Sequence, residues 1–296
     1  MISRVFPGRR DRVGYGRRML RALWGSTHPG PTLVVTGLAL ALGIAVGLEP
    51  WRLVLLTLAV FCGQLSIGLS NDAIDAPRDR VVGRTDKPIA RGDLSDRAAW
   101  TAAIATLAAA LVLSAPLGFG MLAAHAIFLA SAWSYNAGVK STPFSIVPFL
   151  VSFGIFPSLA TLAAPDPGVA APWGWIAGAA LGAAVHLTNV LPDLDDDRRT
   201  GVRGLPHRLG ARASAVVAAA GIVVGAVAVL VGSSGGDLGA VSPAGWIFFA
   251  AVVIVAAATA VLALVRPPTR SLFRLVMLAA LLLAAQLVAT GGAFAA

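Results

Sequence analysis

Nine long apolar stretches govern what this chain can fold into. They lie at about residues 32–48, 51–70, 97–115, 117–135, 144–163, 172–190, 213–232, 243–265 and 272–291, with only Arg52, Arg97 and Arg274 charged among them. Each is close to the ~20 residues that an α-helix needs to cross a bilayer. In hydrocarbon every backbone N–H and C=O must be satisfied internally, which leaves helices and closed barrels. The short alternating segments of a barrel are absent. The expected fold is an all-α polytopic membrane protein of nine transmembrane helices. A composition 57% hydrophobic and 12% charged, with mean hydropathy +0.80, agrees.

The breaks fall at Glu49-Pro50, Pro116, Pro143, Pro165–Pro172, Gly235-Gly236 and Pro267-Pro268, where proline and glycine interrupt helices. Trp51, Trp173, Trp175 and Trp246 lie near predicted ends, as interfacial aromatics do. With the amino terminus placed in the cytoplasm, 22 of the 23 lysines and arginines fall on that side and only Arg52 on the other. The positive-inside rule then gives a cytoplasmic amino terminus and an external carboxyl terminus. The net charge of +9 is therefore a membrane and orientation signal, and no nucleic-acid partner is expected. Residues 1–31, with seven arginines, form a basic cytoplasmic tail, read either as flexible or as a helix lying on anionic lipid with Trp24 as anchor. This tail has no apolar core or cleavage site of a signal peptide. Cys62, the only cysteine, excludes an intrachain disulfide. The Ala-, Gly- and Arg-heavy composition fits a GC-rich, bacterial genome, and the expected location is the plasma membrane.

Two polar islands break this apolar background. The first, Asn71–Gly92, reads NDAIDAPRDRVVGRTDKPIARG. Asn71, Asp75 and Asp79 recur every fourth residue and stack along one helical face. The second, Asn189–Gly210, reads NVLPDLDDDRRTGVRGLPHRLG. At an offset of 118 residues, Asn71, Asp75, Asp79, Arg80, Gly83, Pro88 and Gly92 meet Asn189, Asp193, Asp197, Arg198, Gly201, Pro206 and Gly210. Seven ungapped identities in 22 positions indicate an internal duplication. Residues 32–296 then form one integral-membrane domain, with halves at about 32–143 and 144–265 plus a ninth helix. Two such pseudo-repeated bundles would face their acidic sides across a central cavity.

Carboxylates close to a membrane are costly and ask for a partner. Mg²⁺ takes oxygen ligands, keeps waters, and is typically held by one or two carboxylates plus substrate phosphates. Two aspartate islands could clamp a diphosphate between two ions and neutralise it as it leaves. Arg84, Lys87, Lys140 and Arg203 would donate to the remaining phosphate oxygens. An apolar chamber among helices would suit an isoprenoid tail.

At these residues the chain resembles the UbiA superfamily of membrane prenyltransferases. Asn71, Asp72, Asp75 and Asp79 match its N-D-x-x-D-x-x-x-D motif. Arg84, Thr85, Lys87, Pro88 and Ile89 resemble the R-T…(R/K)-P-(I/L) run that follows it. Asp193 and Asp197, preceded by Asn189, match the second D-x-x-x-D motif. The resemblance implies nine helices and Mg²⁺-dependent transfer of a prenyl group from an allylic isoprenyl diphosphate to a lipophilic, usually aromatic, acceptor. It further implies that Asp72, Asp75 and Asp79 hold one Mg²⁺ and Asp193 and Asp197 the other, with Asp72, Asp75 and Asp193 essential to catalysis. Asn71, Arg84, Lys87, Lys140, Asn189 and Tyr135 are the implied substrate ligands, although Tyr135 is spaced one residue differently from Lys140 than the family pattern. Nothing singles out quinone, haem or chlorophyll acceptors.

Competing readings are a transporter using loop carboxylates and another diphosphate-cleaving transferase, lipid-linked glycosyl or phosphoribosyl. The D-G-x-x-A-R start of CDP-alcohol phosphatidyltransferases is absent. Asp195 and Asp196 read as solvated neighbours of the metal pair, and Asp86, Asp93 and Asp96 as loop solvation or a helix cap. His186 and His125 read as packing histidines, Gln64 as an even candidate for the cavity wall, and Phe119, Phe128, Phe149, Phe153 and Phe156 as lipid-facing or core.

Overall fold

A computed structural model describes residues 9–266 and 269–290, with the backbone alone at 9–15 and 196. The Pro267-Pro268 break, the side chain of Asp196 and the carboxyl-terminal residues 291–296 lie outside the described residues. Among those described there is no strand. Helix α1 (Arg9–Gly25) leads into α2 (Pro29–Ala45) and α3 (Pro50–Val81). A short α4 (Pro88–Arg91) is followed by α5 (Asp96–Ser114), α6 (Phe119–Ala137), α7 (Val147–Leu162) and α8 (Pro172–Asn189). The short α9 (Leu194–Arg199) and α10 (Leu205–Leu209) precede α11 (Ala211–Ser233), α12 (Pro243–Val265) and α13 (Arg270–Thr290). Each of the nine apolar stretches falls on a helix.

Six helices (α3, α5, α8, α11, α12 and α13) are long and apolar enough to cross a membrane, and α1 with α2, bent by 69°, makes a seventh if read as one broken span. Helix α7 has only 16 residues. Helix α6 has the length but dilutes its apolarity with His125, Ser131, Ser134 and Asn136. Among the described residues, length and apolarity alone thus mark six or seven spans, short of the expected nine. The outward faces carry Ile104, Val112, Ile127, Ile176, Ile247 and Ile254, all exposed. So much exposed aliphatic surface suits lipid rather than water. The protein is an integral membrane protein.

Neighbouring helices close into a circuit. Helix α3 packs on α2, α5 and α6; α6 leads to α7, α7 to α8, α8 to α11, α11 to α12, and α12 to α13, which returns to α2 and also touches α8. Leu56, Val60, Met121, Leu129, Leu159, Leu187, Ile222 and Val276 fill the core between them. Glycine permits the closest crossings. A Cβ on Gly178 of α8 would lie 2.0 Å from the carbonyl oxygen of Phe153 on α7, and one on Gly68 of α3 would lie 2.4 Å from that of Thr27. The second contact wedges the α1–α2 corner against α3. His28 at that corner is the one non-glycine residue with positive φ among those described (55°).

Residues 9–25, read as tail or surface helix, are helical. Ala22 of α1 is buried with Ala73, Ala76, Ile89 and Leu94, while Arg17, Leu20, Arg21 and Trp24 are exposed. Ser95, not Asp93 or Asp96, caps α5 through its hydroxyl, which accepts from the Ala98 N–H.

Candidate active site at the meeting of the polar islands

The first island begins as helix, not loop. Helix α3 runs 32 residues, so Asn71, Asp75 and Asp79 lie on its final turns, as their spacing demands. Arg78 and Arg80 near its carboxyl end complement the helix dipole. Gly83, at φ 68°, lets the chain reverse, and the Arg84 N–H donates to the Asp79 carbonyl at 2.9 Å. The reversal brings Arg84 and Lys87 back beside the carboxylates. Helix α4 follows and stops at Gly92, φ 84°.

The second island repeats this local structure. Gly201 has φ 85°, and the Val202 N–H donates to the Asp197 carbonyl at 2.9 Å, 118 residues from its counterpart. Pro206 lies in the first turn of α10, as Pro88 does in α4, and Gly210, like Gly92, has positive φ. Here Pro192 interrupts the helix, so Asp193 sits on a short 3-10 turn between α8 and α9.

Each acidic side chain meets a cation. Lys87 Nζ donates to Asp72 Oδ1 at 2.5 Å, and His28 Nε2 lies 2.9 Å from the same oxygen. Lys140 Nζ donates to Asp75 Oδ1 at 2.5 Å. Arg78 lies within 3.5 Å of Asp75, 3.7 Å of Asp79 and 3.6 Å of Asp197, so one guanidinium spans both islands. Arg84 holds Asp86 through two bonds and reaches Asp193 at 3.5 Å. His207 Nε2 stands 3.3 Å from Asp197. Buried carboxylates without such partners would be strongly destabilising. Burial nevertheless pushes the Asp197 carboxyl up to about 6, against the pull of Arg78. The bonds from Arg84 lower Asp86 to about 2. Burial and then Arg198 lower His207.

These groups border one cavity of about 660 Å³. Asn71, Asp75, Asp79, Arg84, Lys87, Tyr135, Lys140, Asn189, Asp193 and Asp197 all line it. Asp72 stands just behind the wall, 2% exposed. Arg203 is exposed and is not among the lining residues. Asn71 donates to Asn136, which is anchored to Ile67 and Ser70. Tyr135 lies edge-on to Phe149 and His186. His186 lines the cavity and bonds Ser145, whereas His125 is buried against Ser114. Gln64 is buried but not in the wall, and Asp195 is exposed beside Arg198.

His28, Arg78, His207, Arg270 and Arg274 also line the cavity, and sequence reasoning passed over all of them. Only Arg78 had a local signal, three residues after Asp75 on the same face. A second, apolar cavity of about 70 Å³ adjoins through the shared Met277. Val35, Leu38, Phe153, Phe156, Trp173 and Leu181 are among its walls.

Among the described residues no three His, Cys, Asp or Glu side chains form a closed metal cage. Mg²⁺ does not require one, since it keeps waters and takes substrate phosphates. The donors fit it: they are hard carboxylate oxygens, and Asp72 Oδ2 is buried with no hydrogen-bond partner.

Residues 31–282 match the sequence model of the UbiA prenyltransferase family. The chain belongs to the UbiA prenyltransferase family. It is 32% identical over 242 residues to the lycopene elongase/hydratase of Haloferax volcanii, covering 76% of this chain and 75% of that one. It is 28% identical over 210 residues to the digeranylgeranylglyceryl phosphate synthase of Natronomonas pharaonis, covering 69% and 75%. The fold of this UbiA protein is shared with the apo UbiA homologue of Aeropyrum pernix, at TM-score 0.73 and 19% identity over 88% of this chain and 98% of that one. It is shared too with the Archaeoglobus fulgidus homologue bound to GPP and Mg²⁺, at TM-score 0.69 and 14% identity over 90% and 98%. As a UbiA protein, the chain is a membrane prenyltransferase.

Proposed function

We propose that this prenyltransferase moves a prenyl group from an allylic isoprenyl diphosphate, bound with Mg²⁺, to a lipophilic acceptor, aromatic or otherwise, and releases diphosphate. The observation that carries this reading is Arg78, which contacts Asp75 and Asp79 of one island and Asp197 of the other across a single cavity. Asp72, Asp75 and Asp79 would hold one Mg²⁺, and Asp193 and Asp197 a second. Bound there, the ions would neutralise charge on the departing diphosphate. With the ions bound, Arg84, Lys87 and Lys140 would donate to phosphate oxygens in place of carboxylates, and Asn71 and Asn189 would orient the group. The adjoining apolar cavity receives the start of the prenyl chain and keeps water from the allylic carbon. GPP and DMAPP, each with Mg²⁺, bound to Archaeoglobus fulgidus homologues support the donor class.

All nine apolar helices then cross the plasma membrane of a bacterium, with the cavity on the cytoplasmic side. The test is donor affinity in purified protein: binding of geranylgeranyl diphosphate that is abolished by EDTA is expected. Transport of a solute without diphosphate release would instead favour a transporter.

A further inference from the structure

The corner between α1 and α2 joins a charged surface to a buried carboxylate of the site. Helix α1 turns by 69° into α2, and its sequence carries six arginines against one aspartate. Met19, Ala22 and Leu23 form one stripe of α1, packed on Ala73 and Ala76 of α3, Ile89 of α4, and Leu94. Arg17, Leu20, Arg21 and Trp24, at i, i+3, i+4 and i+7, form another, and all four are exposed. Trp24 also reaches Phe61 in the apolar part of α3, with 6.5 Å between ring centroids. A helix whose exposed stripe mixes guanidinium groups with tryptophan and leucine suits the boundary between headgroups and hydrocarbon. Anionic lipid attracts such arginines. Neither Arg17 nor Arg21 has an ion pair among the described residues, so their charge is open to headgroups.

The packed side of α1 bears on the site. Thr27 Oγ1 donates to the Trp24 carbonyl and Thr32 Oγ1 to the Thr27 carbonyl, each at 2.7 Å. That Thr27 carbonyl is the atom that Gly68 admits. His28 follows directly at φ 55°, a conformation that histidine keeps only where its surroundings hold it. Its Nε2 and Lys87 Nζ both meet Asp72 Oδ1, which leaves the buried, unpartnered Oδ2 for a metal. Lys87 precedes α4, and a Cβ on Gly25 would stand 3.2 Å from Pro88 Cγ there. Both groups that hold Asp72 therefore rest on the seat of α1.

We propose that α1 docks through Arg17, Leu20, Arg21 and Trp24 on anionic lipid at its own membrane surface. This docking sets His28 on Asp72, so that donor binding with Mg²⁺ depends on anionic lipid. The docking stands on the surface of α1 alone; its effect on donor binding rests on the prenyl-transfer reading. His28 is a positioning residue, acting through Asp72.

The experiment places the full chain in nanodiscs of phosphatidylcholine with and without phosphatidylglycerol. It reads backbone amide exchange over residues 16–27 and affinity for geranylgeranyl thiodiphosphate with Mg²⁺. Phosphatidylglycerol should slow the exchange and tighten the affinity about fivefold or more. Arg17→Gln with Arg21→Gln should remove both responses and leave the affinity in phosphatidylcholine unchanged. Arg266→Gln, at an exposed arginine ending α12, should remove neither. His28→Asn, whose shorter side chain tolerates the same φ, should keep the slowed exchange and lose the gain in affinity. Exchange that ignores the lipid would overturn the docking. Slowed exchange with unchanged affinity, or a gain in affinity kept by His28→Asn, would overturn the coupling. Equal losses in Arg266→Gln and the double variant would overturn the assignment to α1. A wild-type protein that binds no thiodiphosphate in either lipid would instead remove the prenyl-transfer reading, with the exchange result still deciding the docking.

Discussion

Arg84 Nη1 stands 3.5 Å from Asp193 Oδ1, although 109 residues separate them. The same guanidinium holds Asp86, so it ties the first island to itself and to the second. A planar fork with fixed donors does this better than an ammonium. Arg84→Ala should weaken binding of geranylgeranyl diphosphate at least tenfold, and Arg84→Lys should recover little of it. Equilibrium binding with Mg²⁺ present checks both; full recovery with lysine would reduce Arg84 to a point charge.

Asp75 and Lys140 are each about 11% exposed and bonded to one another. Asp75→Asn should abolish transfer, by at least about a hundredfold, and leave Lys140 without its main counter-charge, costing up to about 3 kcal/mol. Adding Lys140→Met should restore much of the stability and none of the activity. Thermal melts beside transfer assays separate the two effects, and an active double variant would exclude Asp75 from the metal site.

Gly68 carries the α1–α2 corner. An added Cβ would meet Thr27 backbone at 2.4 Å, and backbone cannot swing aside as a side chain does. Gly68→Ala should destabilise the protein by about 1–3 kcal/mol and displace His28 from Asp72. Gly37→Ala on α2, where a Cβ meets nothing within 4 Å, is the control and should be neutral or slightly stabilising. Equal melting temperatures for the two variants would contradict the close packing.

The pH response follows from Asp197 and Asp86. Asp197 is raised to about 6 by burial, so its contribution to the stability of the metal-free protein is present below ~4 and lost as pH rises through about 6. Asp86 is lowered to about 2 by Arg84; its contribution is present above ~4 and lost as pH falls through about 2. Mg²⁺ competes with a proton at Asp197, so Mg²⁺ affinity should fall as pH drops below about 6. Mg²⁺ titrations between pH 5 and pH 7.5, the range that brackets this value, test it. Asp197→Asn should flatten the profile, and an unchanged profile would remove Asp197 from the site.

Residue patterns close in sequence were legible before any folding. Apolar runs marked the helices, and the four-residue spacing of Asn71, Asp75 and Asp79 placed them on one face. The 118-residue correspondence returned as matching turns at Gly83 and Gly201. The number of spans is not legible in the same way, because α6 and α7 are apolar without meeting the length and apolarity of the other spans. Arg203 reads as a phosphate ligand from its neighbours in sequence, yet it is exposed and does not line the cavity.

A helical membrane protein with two related acid-rich islands, and the UbiA pattern within them, follows from residue order. Periodicity, turn residues and repeats act over a few residues, and side-chain order alone conveys them. Which side chains share the cavity depends on how the helices pack. His28 enters through the strained corner wedged at Gly68, His207 through the turn after Gly201, and Arg270 and Arg274 because α13 closes the circuit against α2. These residues lie far apart in the chain, and packing alone brings them together.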